Sequence, residues 1–226
     1  FFVSNPYLDI KVMVRQNHRW DNAIFNLAPT SIREDVSQLL FRHFNVDNYM
    51  RAGNEFRFFD LRTIHFGGRN VDKFDIGRNL VNAYLYFDKS RGTEAYSLVT
   101  DLNGGYIIQN SEGTNNFLEA DYINTHFILD LKGKSEHDIY IAGKLTDWTF
   151  TEKNKMKFVE SSGLYVCSLL LKQGLYDFIY YVPGNEANPY MLEGTHPETR
   201  NEYEIFVYYR DPMLGIDIPV GYQLIM

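Results

Sequence analysis

The chain has 226 residues, and no apolar run approaches the roughly 18 residues that a membrane-spanning helix needs. Its 17 Tyr and 17 Phe favour strands over helices. A formal net charge of −7, with no Lys/Arg cluster longer than two residues, argues against nucleic acid as a partner.

The first predicted element is a strand near the amino terminus. Ile10, Val12 and Val14 alternate with polar or flexible side chains, which is typical of a half-buried strand. Residues 30–44 form the one segment with a helical signal, because Thr30 or Ser31 is a suitable cap and Glu34 completes a capping box. Residues 39–44 fit a strand equally well, so both interpretations stay open.

Three more strands are expected before a linker. Residues 56–62 and 81–87 alternate, and residues 106–109 follow the turn signal DLNGG at residues 101–105. Residues 111–116 are polar and contain glycine, and we interpret them as a linker between domains.

The second half of the chain continues the pattern. Strands are predicted at residues 123–131, within residues 138–181, at 201–210 and at 221–225. The sequence therefore predicts an all-β protein of two consecutive immunoglobulin-like β-sandwich domains, residues 1–116 and 117–226. Because the chain opens on Phe1 without a Met, we expect the first domain to be truncated at its amino end.

Catalytic and metal-binding patterns are lacking. No histidine pair has metal-ligand spacing, and no Gly-x-Ser-x-Gly elbow occurs. Asp101, Asn103 and Glu112 match three calcium-loop positions, but Tyr106 occupies the position that requires glycine, so a turn is the favoured interpretation. Glu202 and Glu204 share one strand face, which favours a solvated edge over a catalytic pair. We expect no enzyme activity, no cofactor and no metal.

Three other features have competing interpretations. The single cysteine, Cys167, fits a core position. Trp148 follows a turn and is either a core ring or a platform for a sugar, with the core favoured. The charged residues Glu55, Arg57, Asp60 and Arg62 are either partner contacts or, as we favour, an intramolecular ion-pair network.

The segment 138–181 resembles the sandwich module of starch- and glycogen-acting enzymes and of AMP-activated kinase. Gly143, Trp148 and the run from Gly174 through Tyr176 to Tyr180 carry this resemblance. It implies an early-immunoglobulin-like fold for the second domain, and carbohydrate binding as an alternative function.

A second resemblance extends over nearly the whole chain. The runs AGNEFRFFDLR at 52–62, DLNG at 101–104, LKQGLYDF at 171–178, ETRNEY at 198–203 and VYYR at 207–210 carry it. These runs resemble a Bacteroidota family that is similar to the plug protein of the type IX secretion system. Arg200 and the segment 215–221 depart from the family pattern, which leaves the carboxy-terminal contacts open. The motif and interaction candidates are Asn54, Glu55, Arg57, Asp60, Arg62, Trp148, Glu193, Thr199, Asn201, Tyr203 and Arg210.

This resemblance implies a non-enzymatic periplasmic protein at the inner face of the outer membrane. Its partner would be the outer-membrane translocon barrel, whose pore it closes when no cargo is bound. A sugar ligand is the less favoured alternative, and no nucleic acid or transmembrane segment is expected.

Overall fold

A computed structural model describes residues 3, 5–43, 49–113 and 118–226, and it is nearly all β. The predicted all-β sandwich class is confirmed. Within these described ranges, two single-turn 3-10 helices, Glu34–Val36 and Lys144–Thr146, accompany one short α-helix and the strands. These elements are α1 Pro6–Asp9, β1 Ile10–Gln16, β2 Ile24–Leu27, β3 Ser31–Arg33, β4 Gln38–Leu40, β5 Arg57–Asp60, β6 Val71–Ile76, β7 Val81–Leu85, β8 Asp88–Lys89, β9 Tyr106–Ile108, β10 Tyr122–Asp130, β11 Tyr140–Ala142, β12 Lys157–Val159, β13 Leu164–Lys172, β14 Gly174–Tyr181, β15 Tyr203–Arg210 and β16 Asp217–Ile225.

The chain divides into two compact units that differ from the predicted domains. The first unit combines residues 1–51 with residues 200–226, and the second contains residues 52–199. The predicted boundary between residues 116 and 117 is therefore corrected, because it falls inside the second unit. Strand β14 pairs with β5 and β9, and β10 pairs with β7, so backbone hydrogen bonds join both sides of that boundary. Residues 114–116 of the predicted linker lie outside the described residues.

The first unit is built on a four-stranded antiparallel sheet with the order β16-β15-β1-β2. Val12 lies opposite Val207, and Arg15 lies opposite Glu204. Because side chains alternate between the two faces of a strand, the valines and the charged pair occupy opposite faces of this sheet.

The predicted helix at residues 30–44 is wrong within the described part of that segment. Strands β3 and β4 form a hairpin there, and Ser37 takes a left-handed conformation with φ +50°. Thr30 does not cap a helix; its backbone N–H and its hydroxyl both donate to the carbonyl of Leu40, at 2.7 and 2.9 Å. The alternative strand at 39–44 is confirmed only where β4 overlaps it, and Phe44 lies outside the described residues.

The second unit is a sandwich of two sheets. One sheet has the order β12-β13-β10-β7-β6, with β8 added to β10, and the other has the order β11-β14-β5, with β9 added to β14. The pairs of β10 with β7 and β8 are parallel, whereas the other pairs in this unit are antiparallel.

Aromatic rings fill the space between these sheets. Phe59 of β5 and Phe178 of β14 each contact Phe127 of β10 edge to face, with centroids 5.4 and 5.2 Å apart. All three rings are buried, and such pairs stabilise a core beyond their buried area. Cys167 of β13 is also buried, as predicted, and burial raises the pKa of its thiol to about 11.

Candidate functional site

The sequence motifs of the second unit converge on one carboxylate, that of Glu193. It is fully buried, and its Oε1 accepts hydrogen bonds from Arg57 Nε at 2.9 Å and from the backbone N–H of Tyr180 at 2.8 Å. Its Oε2 accepts a hydrogen bond from Arg91 Nε at 2.8 Å. Charge-assisted hydrogen bonds of this kind are the strongest in proteins. One side chain therefore ties together β5, β14 and the loop after β8.

Arg57 extends this network to Asp88. Its Nη1 lies 2.7 Å from Asp88 Oδ1, and the hydroxyl of Tyr180 donates to Asp88 Oδ2 at 2.9 Å. Burial alone would lower the pKa of Arg57, but the charges of Glu193 and Asp88 raise it above its ordinary value. Burial raises the pKa of Asp88, and the charge of Arg57 offsets part of that rise. The charges thus compensate each other inside the chain.

Backbone contacts position the neighbouring motif residues. Asn54 Nδ2 donates to the carbonyl of Glu193 at 2.7 Å, and the Thr199 hydroxyl donates to the carbonyl of Gly53 at 2.9 Å. Glu55 is 1% exposed and accepts a hydrogen bond from the hydroxyl of Tyr96 at 2.5 Å. These contacts are internal, so Glu55 does not present its carboxylate to a partner.

Asp60 and Arg62 form their own pair at the end of β5. Arg62 Nε donates to Asp60 Oδ1 at 2.9 Å, and Arg62 Nη2 donates to Asp60 Oδ2 at 2.6 Å. Burial alone would raise the pKa of Asp60, but these hydrogen bonds lower it. The predicted intramolecular ion pairs are therefore confirmed for Arg57, Asp60 and Arg62. Glu55 differs, because its carboxylate accepts a hydrogen bond from the Tyr96 hydroxyl and its backbone carbonyl accepts one from Arg91 Nη2 at 2.8 Å.

Trp148 is a core ring, as the favoured interpretation predicts. It is 6% exposed and meets Phe56 edge to face with centroids 6.0 Å apart. The positive φ values of Asp147 and Trp148, +49° and +55°, turn the chain so that the indole packs inward. The ring therefore has no free face on which a sugar can stack.

The remaining motif residues belong to the first unit. Asn201 Oδ1 accepts a hydrogen bond from Asn17 Nδ2 at 2.7 Å, and the hydroxyl of Tyr203 accepts one from Gln16 Nε2 at 3.3 Å. Both contacts join the ends of β1 and β15. Arg210, by contrast, is exposed and pairs with Asp217 at 3.1 Å across the base of the β15–β16 hairpin.

An exposed aromatic row on the first unit was not predicted from the sequence. The guanidinium carbon of Arg15 lies 4.2 Å from the ring centre of Trp20 and 5.5 Å from that of Phe206. Phe206 contacts Tyr222 with centroids 5.0 Å apart. Trp20 and Tyr222 are 59% and 57% exposed. We call these four side chains the Trp20 row.

Glu204 holds the Trp20 row in position. It accepts hydrogen bonds from Arg15 Nε at 2.5 Å and from the Tyr222 hydroxyl at 3.1 Å, and His18 Nδ1 lies 2.9 Å away. Burial would raise the pKa of Glu204, but the hydrogen bond of Arg15 and the charge of His18 lower it. The predicted solvated edge is corrected for Glu204, which is 4% exposed, because the register of β15 places it opposite Arg15.

The described residues contain no group of three or more His, Cys, Asp or Glu side chains that could hold a metal ion. The segment considered as a calcium loop is a turn in which Asp101 accepts hydrogen bonds from the backbone N–H groups of Phe56 at 2.5 Å and Asn103 at 2.9 Å. Those bonds occupy both carboxylate oxygens. None of the helices in the described ranges has the length and apolar character that crossing a membrane requires.

Comparison with known proteins identifies the fold and leaves the family open. No protein-family model matches the sequence, and no curated protein matches it. The chain is similar to a hypothetical protein from Parabacteroides merdae whose crystal structure is known, with 30% identity and a TM-score of 0.87. The alignment includes 99% of this chain and 56% of that protein, so this chain spans little more than half of the solved structure's length.

Proposed function

We propose that this chain is part of a non-enzymatic plug that closes the type IX secretion translocon from the periplasmic side. The resemblance of its motifs to the plug-protein family is the basis for naming the translocon barrel as the partner. The similarity to a protein from a Bacteroidota species is compatible with that proposal. The periplasm, at the inner face of the outer membrane, is the location that this function requires.

The observation that carries the proposal is the exposed Trp20 row. Trp, Tyr and Arg are the side chains most enriched at the energetic centres of protein interfaces. Trp20 and Tyr222 are exposed. Glu204 fixes the side chains of Arg15 and Tyr222 by hydrogen bonds, so these two side chains lose little entropy when a partner covers them. A protein partner therefore fits this surface.

Steric occlusion is the proposed mechanism. A plug has to resist deformation while it fills the pore mouth, and the second unit has a closely packed aromatic core and a buried ion-pair network around Glu193. The plug dissociates when cargo occupies the pore. No chemical step is needed for this function.

Co-purification tests the proposal. The tagged full-length protein, expressed at its native level, is expected to retain the translocon barrel after mild solubilisation of the outer membrane. The Trp20→Ala/Tyr222→Ala double variant should retain at least about fivefold less barrel, because it loses two exposed interface side chains. Phe66→Ala, which removes a 70% exposed ring from the second unit, should retain the wild-type amount.

Two results would contradict the proposed plug function. A wild-type protein that never retains the barrel would contradict the plug function. Glycan binding on an array, abolished by Trp20→Ala, would instead favour carbohydrate recognition through the Trp20 row, since Trp148 is buried.

A further inference from the structure

The hairpin that joins β15 to β16 ends in an exposed apolar tip. Met213 is 93% exposed, Leu214 is 68% exposed and Ile216 is 51% exposed. Single exposed apolar side chains are common on protein surfaces, but three within four residues at one convex loop form a contiguous feature. We call residues 211–217 the hairpin tip.

The hairpin tip has a defined conformation. Asp211 Oδ1 accepts hydrogen bonds from the backbone N–H groups of Met213 at 2.8 Å and Leu214 at 3.0 Å. The N–H of Gly215 donates to the carbonyl of Asp211 at 2.8 Å, and Gly215 has φ +67°, a conformation that favours glycine. These bonds hold the loop so that Met213 and Leu214 point into solvent.

A salt bridge closes the base of the loop. Arg210 Nη1 lies 3.1 Å from Asp217 Oδ2, and the N–H of Asp211 donates to the carbonyl of Ile216 at 2.9 Å. A loop that is ordered before binding loses less entropy when it binds than a flexible loop does. The tip therefore presents an apolar knob that is already shaped for insertion.

The shape and charge of the tip indicate what it binds. A convex knob cannot enclose a small molecule, so its partner has to supply the pocket. Anionic lipid surfaces attract clusters of Lys and Arg, but this tip has two aspartates and no Lys or Arg, and Arg210 at its base is paired with Asp217. A folded protein with an apolar pocket and a neutral or basic rim is the matching partner.

We infer that the hairpin tip inserts Met213 and Leu214 into an apolar pocket of the protein partner. This inference rests on the proposed function, which makes the translocon barrel that partner. Met and Leu are well suited to such a pocket, because a flexible thioether side chain adapts to its shape and both side chains leave water on binding.

Two charge substitutions test the inference. Met213→Asp and Leu214→Asp, each in the full-length protein, should reduce the retained barrel at least about tenfold in the co-purification, because an apolar pocket does not solvate the introduced carboxylate. Phe66→Asp is the matched control, because Phe66 is 70% exposed and Leu214 is 68% exposed. It should retain the wild-type amount. All three variants should keep the wild-type melting temperature, since the substituted side chains are exposed; Met213→Ser replaces any tip variant that does not.

The outcomes separate the two proposals. If the wild-type protein does not retain the barrel, the proposed function fails and the inference fails with it. If the wild type and both tip variants retain the barrel equally, the inference alone is overturned. Binding of the wild type to phosphatidylethanolamine vesicles that both tip variants lose, with barrel retention unchanged, would also overturn it in favour of a lipid surface.

Discussion

At the scale of single residues, two buried carboxylates in the second unit have opposite environments. Glu193 meets two arginines, Arg57 and Arg91, at 2.9 and 2.7 Å. Asp177 is 1% exposed and meets no cation among its described contacts; its Oδ2 accepts the backbone N–H groups of Leu102 and of Gly104, the latter at 3.2 Å. Burial without a counter-charge favours the protonated acid. Burial is the main reason that the pKa of Asp177 rises to about 7.

This pKa shift predicts how stability varies with pH. An unfolded Asp177 releases its proton near pH 3.8, whereas the folded protein holds it until about pH 7. The folded state therefore binds more protons between these values, and the contribution of Asp177 to stability is full below pH 3.8 and is lost as the pH rises through about 7. The slope is at most about 1.4 kcal/mol per pH unit.

Asp177→Asn should remove that part of the slope, because the amide stays neutral and its Oδ1 still accepts hydrogen bonds from the backbone. Urea unfolding at intervals between pH 4 and pH 8 measures the free energy of unfolding of variant and wild type. The difference between the two free energies removes the contributions of the other titrating groups, which both proteins share. Asp72→Asn, at an exposed position of β6, is the control and should run parallel to the wild type. A constant offset between Asp177→Asn and wild type over this range would contradict the assigned pKa.

At this scale, the sequence indicates which charged residues form internal ion pairs better than it indicates which residues they pair with. The pattern of alternating charges at residues 55–62 indicates internal ion pairs, and the structure confirms this for Arg57, Asp60 and Arg62. The carboxylate of Glu55 instead accepts a hydrogen bond from Tyr96. Glu193, however, lies 136 positions from Arg57, and no local spacing relates the two. The Trp20 row has no sequence signal either, because the stacking of Trp20 on Arg15 depends on the course of the chain after β1.

At the scale of elements, alternation correctly predicts strands where one face is buried. β1, β7, β10 and β15 match the expected patterns. The helix at residues 30–44 fails because its signal comes from capping residues alone. Cap preferences amount to about 1 kcal/mol, and cross-strand pairing of the β3–β4 hairpin competes with them.

Two turns in the second unit contain glycines with similar backbone conformations but different surroundings. Gly104 and Gly163 both have positive φ, +79° and +70°. A Cβ at Gly104 would lie 2.7 Å from the ring of Phe56 and 2.9 Å from that of Trp148, whereas a Cβ at Gly163 would have no atom within 4 Å. Gly104 is thus required for packing as well as for backbone conformation.

Alanine at each position should separate these two requirements. Gly163→Ala is expected to cost about 1–2 kcal/mol of stability from backbone strain. Gly104→Ala should cost about 1–3 kcal/mol more, because it also displaces the rings of Phe56 and Trp148. Urea unfolding monitored by tryptophan fluorescence measures both values. Equal losses for the two variants would show that Trp148 is not packed as described.

At the scale of the whole molecule, the class of fold is predictable from the sequence and the division into units is not. Alternating strands and frequent turns indicate a β-sandwich, and polar residues 111–116 resemble a linker. The actual division follows from long-range pairing, since β1 and β15 join residues such as Arg15 and Glu204 that are 189 positions apart. Likewise, β5 and β9 complete the sheet of β14. Local composition contains no signal for either pairing.

This division predicts which fragment folds. A fragment of residues 52–199 contains both sheets of the sandwich, its aromatic core and the Glu193 network, so it should unfold cooperatively in urea. A fragment of residues 117–226 lacks β5, β7 and β9, which leaves β10 without β7 and β14 without two of its partners. The 117–226 fragment therefore has exposed strand edges and an incomplete core, and it should not show a cooperative unfolding transition.

Near-UV circular dichroism provides the second measurement, because the fixed packing of Phe127 and Phe178 against Phe59 needs β5, which only the 52–199 fragment contains. Arg57→Met in the 52–199 fragment tests whether the Glu193 network is formed in that fragment. It leaves Glu193 short of one buried counter-charge and should lower the urea midpoint, since removing one partner of a buried ion pair costs about 3–5 kcal/mol. A cooperative 117–226 fragment beside an unfolded 52–199 fragment would restore the boundary between residues 116 and 117.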